Sequence, residues 1–408
     1  MTIGYNLVIA NANDETALSW EELLAYVNTP QTLHNVLHIN TLKELVLGMC
    51  IRLVNNAPIV LLDGVLAEAI PSMSAENTTE VLHVASRPIA NVQELRTAIQ
   101  ASNSTVCIFT SGTTGEPKQV RHTVASLTRT VRTGAKYAEN IWAFAYNYTH
   151  MAGLQVFFQA VLNGNTMVDV FGKSKTDVVN DITANHVTHI SATPTFFRLL
   201  LPLPEQLPSL KKLSVGGEKS SEALIAALVA AFPKASINNI YASTEAGTLL
   251  HAHGSDFAIP THLSQFICIR DGQLCVHASL LGHSSSIVLN DDWFETGDLV
   301  EFTDDTQSRF RFVSRQSEII NVGGNKVSPH EVEDAILALP EVTQAKVYAR
   351  FNSILGNLLV ADVVSKNPTV SEKWIRDALS QRLQDFKIPR KVNFVSQISL
   401  TRTGKLQR

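Results

Sequence analysis

The sequence predicts an α/β fold: a large N-terminal domain with parallel sheets, a β subdomain, and a small C-terminal α+β domain. Three observations support this prediction. Apolar runs of strand length alternate with helical segments over the first half of the chain, short strands follow Gly247, and a third pattern begins at Val327. Alternation of strands and helices is typical of parallel sheets, because each parallel strand needs a crossover connection to reach the next.

The alternating region contains four apolar runs and two clear helical segments. The runs predicted to be buried strands are residues 57–63, 106–109, 166–170 and 187–191. Residues 153–162 are nearly all apolar and predict a buried helix. Residues 221–232 are rich in Ala and Leu and predict a second helix, with Ser220 or Ser221 as the N-cap that accepts from its first N–H groups.

Two different patterns follow. Short strands joined by Asp-Gly and Asp-Asp turns predict an antiparallel β subdomain, with strands at residues 266–270, 272–277 and 310–313. A helix is predicted at residues 329–337, because Pro329 stands early and acidic residues fill the first turn. The remaining elements of this small α+β domain are predicted strands at residues 342–349 and 358–364 and a helix at residues 372–384.

Composition restricts the class of protein. The chain has 408 residues, 45% hydrophobic and 17% charged, so two or three domains with full cores are expected. The formal net charge is −4 and no long basic run is present, so neither nucleic acid nor an anionic membrane is expected as a partner. We expect no metal site built from histidines, because the closest pairs lack a Cys or carboxylate at ligand spacing.

The expected location is the cytoplasm. No basic segment precedes an apolar stretch at the N-terminus, and no apolar run approaches the ~18 residues of a membrane span. The scattered cysteines lack a C-x-x-C pair and predict reduced core thiols; they are Cys50, Cys107, Cys268 and Cys275.

A loop rich in hydroxyl groups and glycine follows the predicted strand at residues 106–109. Its candidate phosphate-binding residues are Thr110, Ser111, Gly112, Thr113, Thr114, Gly115 and Lys118. Glycine allows close approach of the backbone to an anion, hydroxyl and N–H groups donate to phosphate oxygens, and lysine adds a positive charge. A polar surface turn is the alternative interpretation of such a Gly- and Thr-rich segment. The loop is not a P-loop, because the G-x-x-x-x-G-K-[ST] spacing is absent.

Five later segments give this loop a context. Residues 241–245 contribute an aromatic ring, a hydroxyl and a carboxylate, and Asp298 contributes a carboxylate in a predicted tight turn. Arg315 follows a predicted strand, and residues 322–327 form a glycine loop. Lys405 is a lysine near the end of the chain. Each segment alone is more often structural than functional, so the prediction depends on their occurring together and in this order.

Together these segments resemble the adenylate-forming (AMP-binding) superfamily, of the acyl-CoA synthetase or acyl-AMP ligase type. The resemblance covers residues 102–408. The motif T-S-G-T-T-G-x-P-K stands at residues 110–118, Y-G-x-T-E at 241–245, T-G-D at 296–298, G-R at 314–315, G-G-x-x-V-x-P-x-E-[IV]-E at 323–333, and T-x-x-G-K at 401–405, with Ala242 and Ser314 in place of Gly.

The resemblance implies a two-step reaction that uses ATP, Mg²⁺ and CoA or a carrier-protein phosphopantetheine. A carboxylic acid first attacks the α-phosphate of ATP, which gives an acyl-adenylate with a good leaving group. Thr113, Thr114 and Lys118 are then expected to hold the β- and γ-phosphates. Glu245 is expected to ligate Mg²⁺, which prefers oxygen. Thr244 is expected to bond the α-phosphate.

The resemblance also implies roles on the nucleoside side and in the second step. Tyr241 is expected to stack on adenine, which residues Gly216, Gly217 and Glu218 line from the other side. Asp298 is expected to bind the ribose, with Arg315 in support. Lys405 is expected to bind the acid and the α-phosphate during adenylation. The small domain then rotates in the family, and Gly323 and Gly324 are expected to let a pantetheine arm pass close to backbone.

The acid pocket is expected around His150, Met151 and Gly216. Residues 150–154 resemble the family's H-x-x-G-L, and a core histidine is the alternative for His150. Relatives that activate amino acids carry Asp at the position of Met151, where it pairs with the ammonium. An ammonium without that partner would cost several kcal/mol, so an aryl or medium aliphatic acid is expected.

The chain departs from the family at its N-terminus and at its hinge. Only about a hundred residues precede the phosphate loop, although residues 18–24 resemble the family's early helix. The predicted domains are residues 1–314, with a β subdomain near 255–314, a hinge at 315–318, and a C-terminal lid at 319–408. Ser317 replaces the usual Asp or Lys of the hinge.

Three functions remain open from the sequence. A carboxylate–CoA ligase is the leading hypothesis, and a ligase that loads the phosphopantetheine of an acyl carrier protein is the nearest alternative, because both acceptors present the same arm. A homologue that binds nucleotide without catalysis is disfavoured by the complete loop and by Glu245, Asp298 and Lys405.

Overall fold

The computed structural model describes residues 7–10, 17–70, 81–84, 88–110, 117–204, 206–352 and 356–406. The chain divides into two compact units. The first consists of residues 1–217, 229–251 and 278–288, and the second of residues 218–228, 252–277 and 289–408. None of the helices in the described part of the chain has the length and apolar character that a bilayer crossing requires.

The first unit contains strands β1 to β14 and helices α1 to α8, apart from the last residue of β14. In chain order these are β1 (Leu7–Ala10), β2 (Leu18–Ser19), α1 (Trp20–Val27), β3 (Gln31–His34), β4 (Val36–His38), α2 (Leu42–Val54), β5 (Ile59–Leu62), α3 (Gly64–Ala69), β6 (Val81–Val84), α4 (Val92–Gln100), β7 (Thr105–Thr110), β8 (Lys118–Thr123), α5 (Val124–Thr128), β9 (Ile141–Phe144), α6 (Met151–Val161), β10 (Thr166–Asp169), α7 (Lys175–Ala184), β11 (His189–Ala192), α8 (Pro194–Leu200), β12 (Lys212–Gly216), β13 (Ser236–Ser243) and β14 (Gly247–Ala252).

The described strands of this unit form two main sheets. The larger has the order β14-β13-β12-β11-β9-β10-β1-β2, and the smaller has the order β4-β5-β7-β8. Strands β13, β12, β11, β9, β10 and β1 are joined by parallel pairs, as are β4, β5 and β7. The antiparallel pair of β7 and β8 closes the smaller sheet on one side. Helix α6 lies in the apolar core of the unit, with Phe157 and Phe158 fully buried.

The second unit combines an antiparallel sheet with a small α+β region. Its elements are β15 (Ile267–Arg270), β16 (Gln273–His277), β17 (Leu289–Asn290), β18 (Trp293–Phe302), β19 (Phe310–Arg315), β20 (Ile320–Val322), β21 (Asn325–Val327), α10 (Pro329–Leu337), β22 (Val342–Asn352), β23 (Gly356–Ser365), α11 (Glu372–Ser380) and β24 (Lys391–Phe394). Strands β15 to β19 form the antiparallel sheet, β20 and β21 a hairpin, and β22 to β24 a sheet with its own apolar core. Helix α9 (Glu222–Ala231) crosses the boundary between the units.

Local sequence explains where the helices begin. Ser19 with Glu22 and Thr41 with Glu44 form capping boxes at the first residues of α1 and α2. Ser221 Oγ accepts from the N–H of Leu224 at the start of α9, as predicted. Helix α6 begins two residues earlier than predicted, because the side chain of His150 caps it.

The predicted fold class is confirmed: parallel sheets in a large N-terminal part, an antiparallel subdomain and a small C-terminal α+β part. Helix α10 has the predicted bounds, and α11 ends at Ser380, four residues before the predicted end. The boundaries at residues 314 and 318 remain predictions. A 3₁₀ turn at Gln316–Glu318 occupies the predicted hinge.

Candidate active-site residues

The turn after β13 carries the predicted metal and phosphate ligands. Strand β13 pairs with β12 as far as Ile240, opposite Gly216, so Tyr241 and the residues after it extend past the end of that neighbour. Tyr241, Thr244 and Glu245 are all partly exposed. The carboxyl ends of parallel strands are where α/β proteins bind ligands. The structure therefore places Tyr241, Thr244 and Glu245 together at a suitable edge of the sheet.

The backbone of this turn is held by groups from other segments. The carbonyl of Thr244 accepts from His122 Nε2 at 2.8 Å. The next carbonyl, of Glu245, accepts from the N–H of Gly282 at 2.7 Å. The carbonyl of Ala246 accepts from Arg129 Nη2 at 2.6 Å. Three successive carbonyl oxygens are thus occupied, so the position of the turn is fixed through its main chain.

Sequence reasoning did not identify His122. Strand β8 alternates between exposed and buried residues from Val120 onwards, and His122 is 2% exposed. That alternation was the available signal, because it places a histidine on the buried face of a strand that leaves the phosphate loop. Burial lowers the pKa of His122, and the hydrogen bond to Thr244 opposes that effect.

The glycine segment at the end of β12 lies beside this turn. A Cβ on Gly216 would lie 3.0 Å from the carbonyl oxygen of Ile240, so glycine permits the close contact of the two strands. Gly217 follows with a φ of 87°, a conformation that favours glycine. Glu218 belongs to the second unit, where its Oε1 accepts from the N–H of Leu406 at 3.1 Å.

Only the ends of the predicted phosphate loop lie among the described residues. Thr110 ends β7 and Lys118 begins β8, and the two residues are directly paired. The remaining predicted residues, Ser111, Gly112, Thr113, Thr114 and Gly115, lie outside the described residues. Their contacts with phosphate therefore remain predictions.

The predicted acid pocket lies at the start of α6. His150 is the N-cap, and its Nδ1 accepts from the N–H of Ala152 at 3.4 Å. Its ring stacks on Tyr146 at a centroid distance of 6.4 Å and an angle of 28°. Met151 is 2% exposed and packs in the core. His150 therefore has both a structural contact and an aromatic neighbour, and its catalytic role remains a prediction.

Asp63 holds the loop that leads to His150, and sequence reasoning did not identify it. Its Oδ2 accepts from Asn147 Nδ2 at 3.0 Å and from Thr149 Oγ1 at 3.1 Å. Its Oδ1 accepts from the N–H of Leu66 at 2.9 Å. The residue is 8% exposed, so this carboxylate is compensated by several donors within the protein. The signal was an aspartate directly after a buried strand.

The predicted ribose ligands form an ion pair in the second unit. Asp298 on β18 and Arg315 on β19 are paired residues, and Arg315 Nε donates to Asp298 Oδ1 at 2.8 Å. The predicted tight turn at residues 296–298 was wrong. These residues form a bulge within β18, where the register with β16 shifts and Gly297 has a φ of 75°. The bulge depends on pairing between distant strands, which the local sequence does not reveal.

Lys405 lies in a compact turn of the second unit. The N–H of Thr401 donates to the carbonyl of Lys405 at 2.7 Å, and Thr401 Oγ1 accepts from the N–H of Lys405 at 3.3 Å. Gly323 and Gly324 form the turn of the hairpin between β20 and β21, with φ values of 57° and 88°. Among the described residues, and apart from its own chain neighbours, a Cβ built on either glycine would meet nothing within 4 Å, so these residues leave space above the turn.

Glu245 and the Gly323–Gly324 turn suit the two groups that the family resemblance implies for them, Mg²⁺ and a pantetheine arm. Mg²⁺ usually takes one or two carboxylates together with phosphate oxygens and water, and Glu245 supplies one carboxylate in a turn whose carbonyls are already occupied. In the described part of the chain, no cluster of three or more His, Cys, Asp or Glu is suited to a metal. The open Gly323–Gly324 turn fits a thin thiol-bearing arm that passes against backbone.

The chain belongs to the AMP-binding enzyme family. Residues 49–266 match the family described as AMP-binding enzyme, and residues 331–405 match the AMP-binding enzyme C-terminal domain. These matches confirm the resemblance found in the sequence motifs.

Its relatives include acid–CoA ligases. The 2-succinylbenzoate–CoA ligase of Bacillus licheniformis is 25% identical over 365 residues, which cover 82% of this chain and 74% of that protein. The enzyme of the same name from Bacillus subtilis is 26% identical, with 77% of this chain and 70% of that protein covered.

Solved structures confirm the fold. The o-succinylbenzoate CoA synthetase MenE from Bacillus subtilis, in complex with its acyl-adenylate intermediate, has a TM-score of 0.72 at 20% identity, with 98% of this chain and 94% of that chain covered. ATP-bound MatB from Rhodopseudomonas palustris has a TM-score of 0.72 at 19% identity, with 100% and 95% covered.

Proposed function

We propose that the protein is an ATP-dependent carboxylate–CoA ligase. In the first step a carboxylate oxygen attacks the α-phosphorus of ATP and the bond to pyrophosphate breaks. In the second step the thiol of CoA attacks the acyl carbon and AMP leaves. The observation that supports this proposal best is the turn with Thr244 and Glu245, which follows the carboxyl end of β13 in a member of the AMP-binding enzyme family.

On this proposal the first unit binds the charged end of ATP. The loop at residues 110–118 holds the β- and γ-phosphates, and Thr244 donates to the α-phosphate. Glu245 ligates Mg²⁺, which neutralises phosphate charge when bound. Tyr241 and the glycines at residues 216–217 bind the adenine. The partly exposed position of the turn allows its side chains to meet the nucleotide.

The second unit supplies the remaining groups. Asp298, oriented by Arg315, accepts hydrogen bonds from the ribose hydroxyls, and Glu218 assists at the adenine. Lys405 neutralises the carboxylate and the α-phosphate while the new bond forms. The hinge at residues 315–318 lets Gly323 and Gly324 replace Lys405 for the second step. Residues 319–408 are then the mobile lid.

We propose an aryl acid as the preferred substrate and a medium aliphatic acid as the second choice. The stacked rings of Tyr146 and His150 favour an aromatic acid. Tyr148 and Phe144 form a second stacked pair in the same unit, with centroids 5.9 Å apart. The named relatives that act on 2-succinylbenzoate are consistent with this choice. Met151 argues against an amino acid, as noted above.

Acid-dependent exchange of labelled pyrophosphate into ATP tests the first step directly. We expect exchange with one class in a panel of aryl, short, medium and long acids. No exchange with any acid at saturating MgATP would favour a homologue that binds nucleotide without catalysis. Thioester formation should then be compared between free CoA and a holo carrier protein. A rate on CoA no higher than background, with a rapid rate on the carrier, would replace the CoA proposal.

A further inference from the structure

We propose that His122 positions the metal-binding turn by holding its backbone, and that Arg129 and Gly282 complete this clamp. The proposal rests on the proposed function, in which Thr244 and Glu245 bind MgATP. It concerns a residue outside the recognised motifs. His122 meets no substrate itself in this proposal, so it is a positioning residue.

The geometry that supports the proposal is the occupation of three successive carbonyl oxygens. Each carbonyl has a different donor: His122 for Thr244, Gly282 for Glu245 and Arg129 for Ala246. The guanidinium of Arg129 also donates to the carbonyl of Leu280 at 3.1 Å, so it ties the turn to the segment that carries Gly282. Fixed carbonyls fix the peptide planes between them, and the planes determine where the side chains of Thr244 and Glu245 start.

The chemistry of His122 suits this task. Its Nε2 must carry a hydrogen in order to donate to the carbonyl of Thr244 at 2.8 Å. Its Nδ1 lies 3.0 Å from Ser126 Oγ, whose hydroxyl hydrogen is within reach of both this nitrogen and the carbonyl of Thr123 at 3.1 Å. A neutral imidazole satisfies both contacts. A buried aliphatic side chain in its place would leave the Thr244 carbonyl without this donor.

The clamp also joins the turn to the phosphate loop. His122 lies four residues after Lys118 on the same strand, β8, and Arg129 follows directly after helix α5. The contact with Thr244 spans 122 residues of sequence. The chain that leaves the phosphate loop therefore carries the two side chains that hold the metal-binding turn. This arrangement ties the metal-binding turn to the strand that begins at Lys118 before any nucleotide binds.

The test compares three variants of the full chain: His122→Leu, His122→Gln and His189→Leu. The side-chain amide of the His122→Gln variant can place a donor near the position of Nε2, whereas the aliphatic side chain of the His122→Leu variant cannot. His189 is the matched control, since it is a partly buried histidine of the same unit that bonds Thr188 and packs on Trp142. Two measurements apply to each variant: hydrogen exchange of peptides that contain Ala246, and the rise in Tm on titration with MgATP.

The Ala246 amide reports on the turn because it donates to Ser243 Oγ at 3.1 Å. For His122→Leu we expect exchange at this amide to accelerate about tenfold, and the MgATP concentration for half of the Tm rise to increase about tenfold. His122→Gln should stay within about threefold of wild type in both. His189→Leu should lower the Tm without changing either quantity. Unchanged values in His122→Leu, or equal damage in the Gln and Leu variants, would overturn the proposal.

A further variant applies if His122→Leu does not fold. A Cβ on Gly282 would lie 2.6 Å from His122 Cε1 and 2.9 Å from the carbonyl oxygen of Arg121, so Gly282→Ala displaces the clamp from the other side. We expect it to accelerate Ala246 exchange as well, and normal exchange there would count against the clamp. If wild type shows neither pyrophosphate exchange nor a MgATP-dependent Tm rise, the proposed function fails. The Ala246 amide still decides the positioning role in that case.

Discussion

Two turns carry proposed catalytic residues, and they are held in different ways. The turn with Thr244 and Glu245 is fixed by donors from distant segments, through its own carbonyl oxygens. The turn with Lys405 is closed by local bonds with Thr401, and the N–H of Leu406, the next residue, reaches Glu218. The first turn is therefore part of the framework of its unit. The second is closed by bonds between residues four apart in sequence, which suits a lysine that must act in only one of two steps.

The largest effect should come from removing the lysine of the locally closed turn. We expect Lys405→Ala to slow adenylation by about 10²–10³-fold, because it removes a charge that stabilises the transition state. Thioester formation from supplied acyl-adenylate and CoA should be unaffected. Single-turnover assays of each step measure both rates. Lys391→Ala, at an exposed position of β24, serves as the control. Equal loss of both steps would contradict the two-step division of labour.

Acid should weaken the first unit through His189 and leave the Lys405 turn unaffected. Burial, aided by Lys212 and Lys211, lowers the pKa of His189 from 6.5 to about 4. The folded state therefore binds fewer protons than the unfolded state in this window. The contribution of neutral His189 to the free energy of unfolding is fully present above about pH 6.5. It is lost as the pH falls towards 4, by up to about 3 kcal/mol.

This pH dependence can be measured by urea unfolding at several pH values. The slope between pH 6.5 and 4 should be smaller in His189→Leu, which cannot bind the proton. Hydrogen exchange at the Ile190 amide, beside His189 on β11, should accelerate in acid beyond its intrinsic pH dependence, whereas exchange at the Lys405 amide should not. An equal response of the two amides would show that the units lose stability together.

Asp63→Asn tests whether a buried carboxylate fixes the loop that leads to His150. In one orientation the NH₂ group of the new amide faces the donors of Asn147 and Thr149, and in the other it faces the N–H of Leu66. Two donors therefore meet in either case. We expect the free energy of unfolding to fall by about 2 kcal/mol and the KM for the acid to rise about tenfold. The KM for MgATP should be unchanged. Asp181→Asn is the control, because Asp181 is also buried but pairs with Lys173 away from His150.

The smallest effect should come from loosening the Lys405 turn itself. Thr401→Val removes the oxygen that accepts from the Lys405 amide at 3.3 Å. We expect adenylation to slow about threefold and the Tm to stay nearly constant, because the bond is local and partly exposed. Thr369→Val alters a similar local turn in the same unit and should change neither value. A loss as large as that of Lys405→Ala would mean that this turn is part of the framework after all.

The sequence revealed the elements whose cause is local. Helix α10 was predicted to the residue, because Pro329, the acidic first turn and the apolar spacing all lie within it. The positions of Thr244, Glu245, Asp298 and Lys405 followed from motifs that each span a few residues. What remained hidden depends on pairs of residues far apart in the chain. His122 meets Thr244 across 122 residues and Asp63 meets Asn147 across 84, and no local pattern encodes such contacts.

The bulge at residues 296–298 likewise combines a local motif with a geometry set by distant residues. The motif T-G-D identified Asp298, but the residue lies in the middle of a ten-residue strand instead of a turn. Its conformation arises from the register of β18 against β16 and β19, which is a property of the sheet. Motif identity could thus be read from the chain, and the geometry that presents the carboxylate could not.

The backbone clamp has a consequence for how this site can change during evolution. Hydrogen bonds to carbonyl oxygens do not depend on which side chain the clamped residue carries, so Thr244, Glu245 and Ala246 could change side chain and keep these bonds. Substitutions that disable the site should then concentrate on β8 and just after α5, at residues that an inventory of ligand contacts would pass over. In a complete mutational scan, substitutions of His122 and Arg129 should lower activity although neither side chain binds a ligand in our proposal.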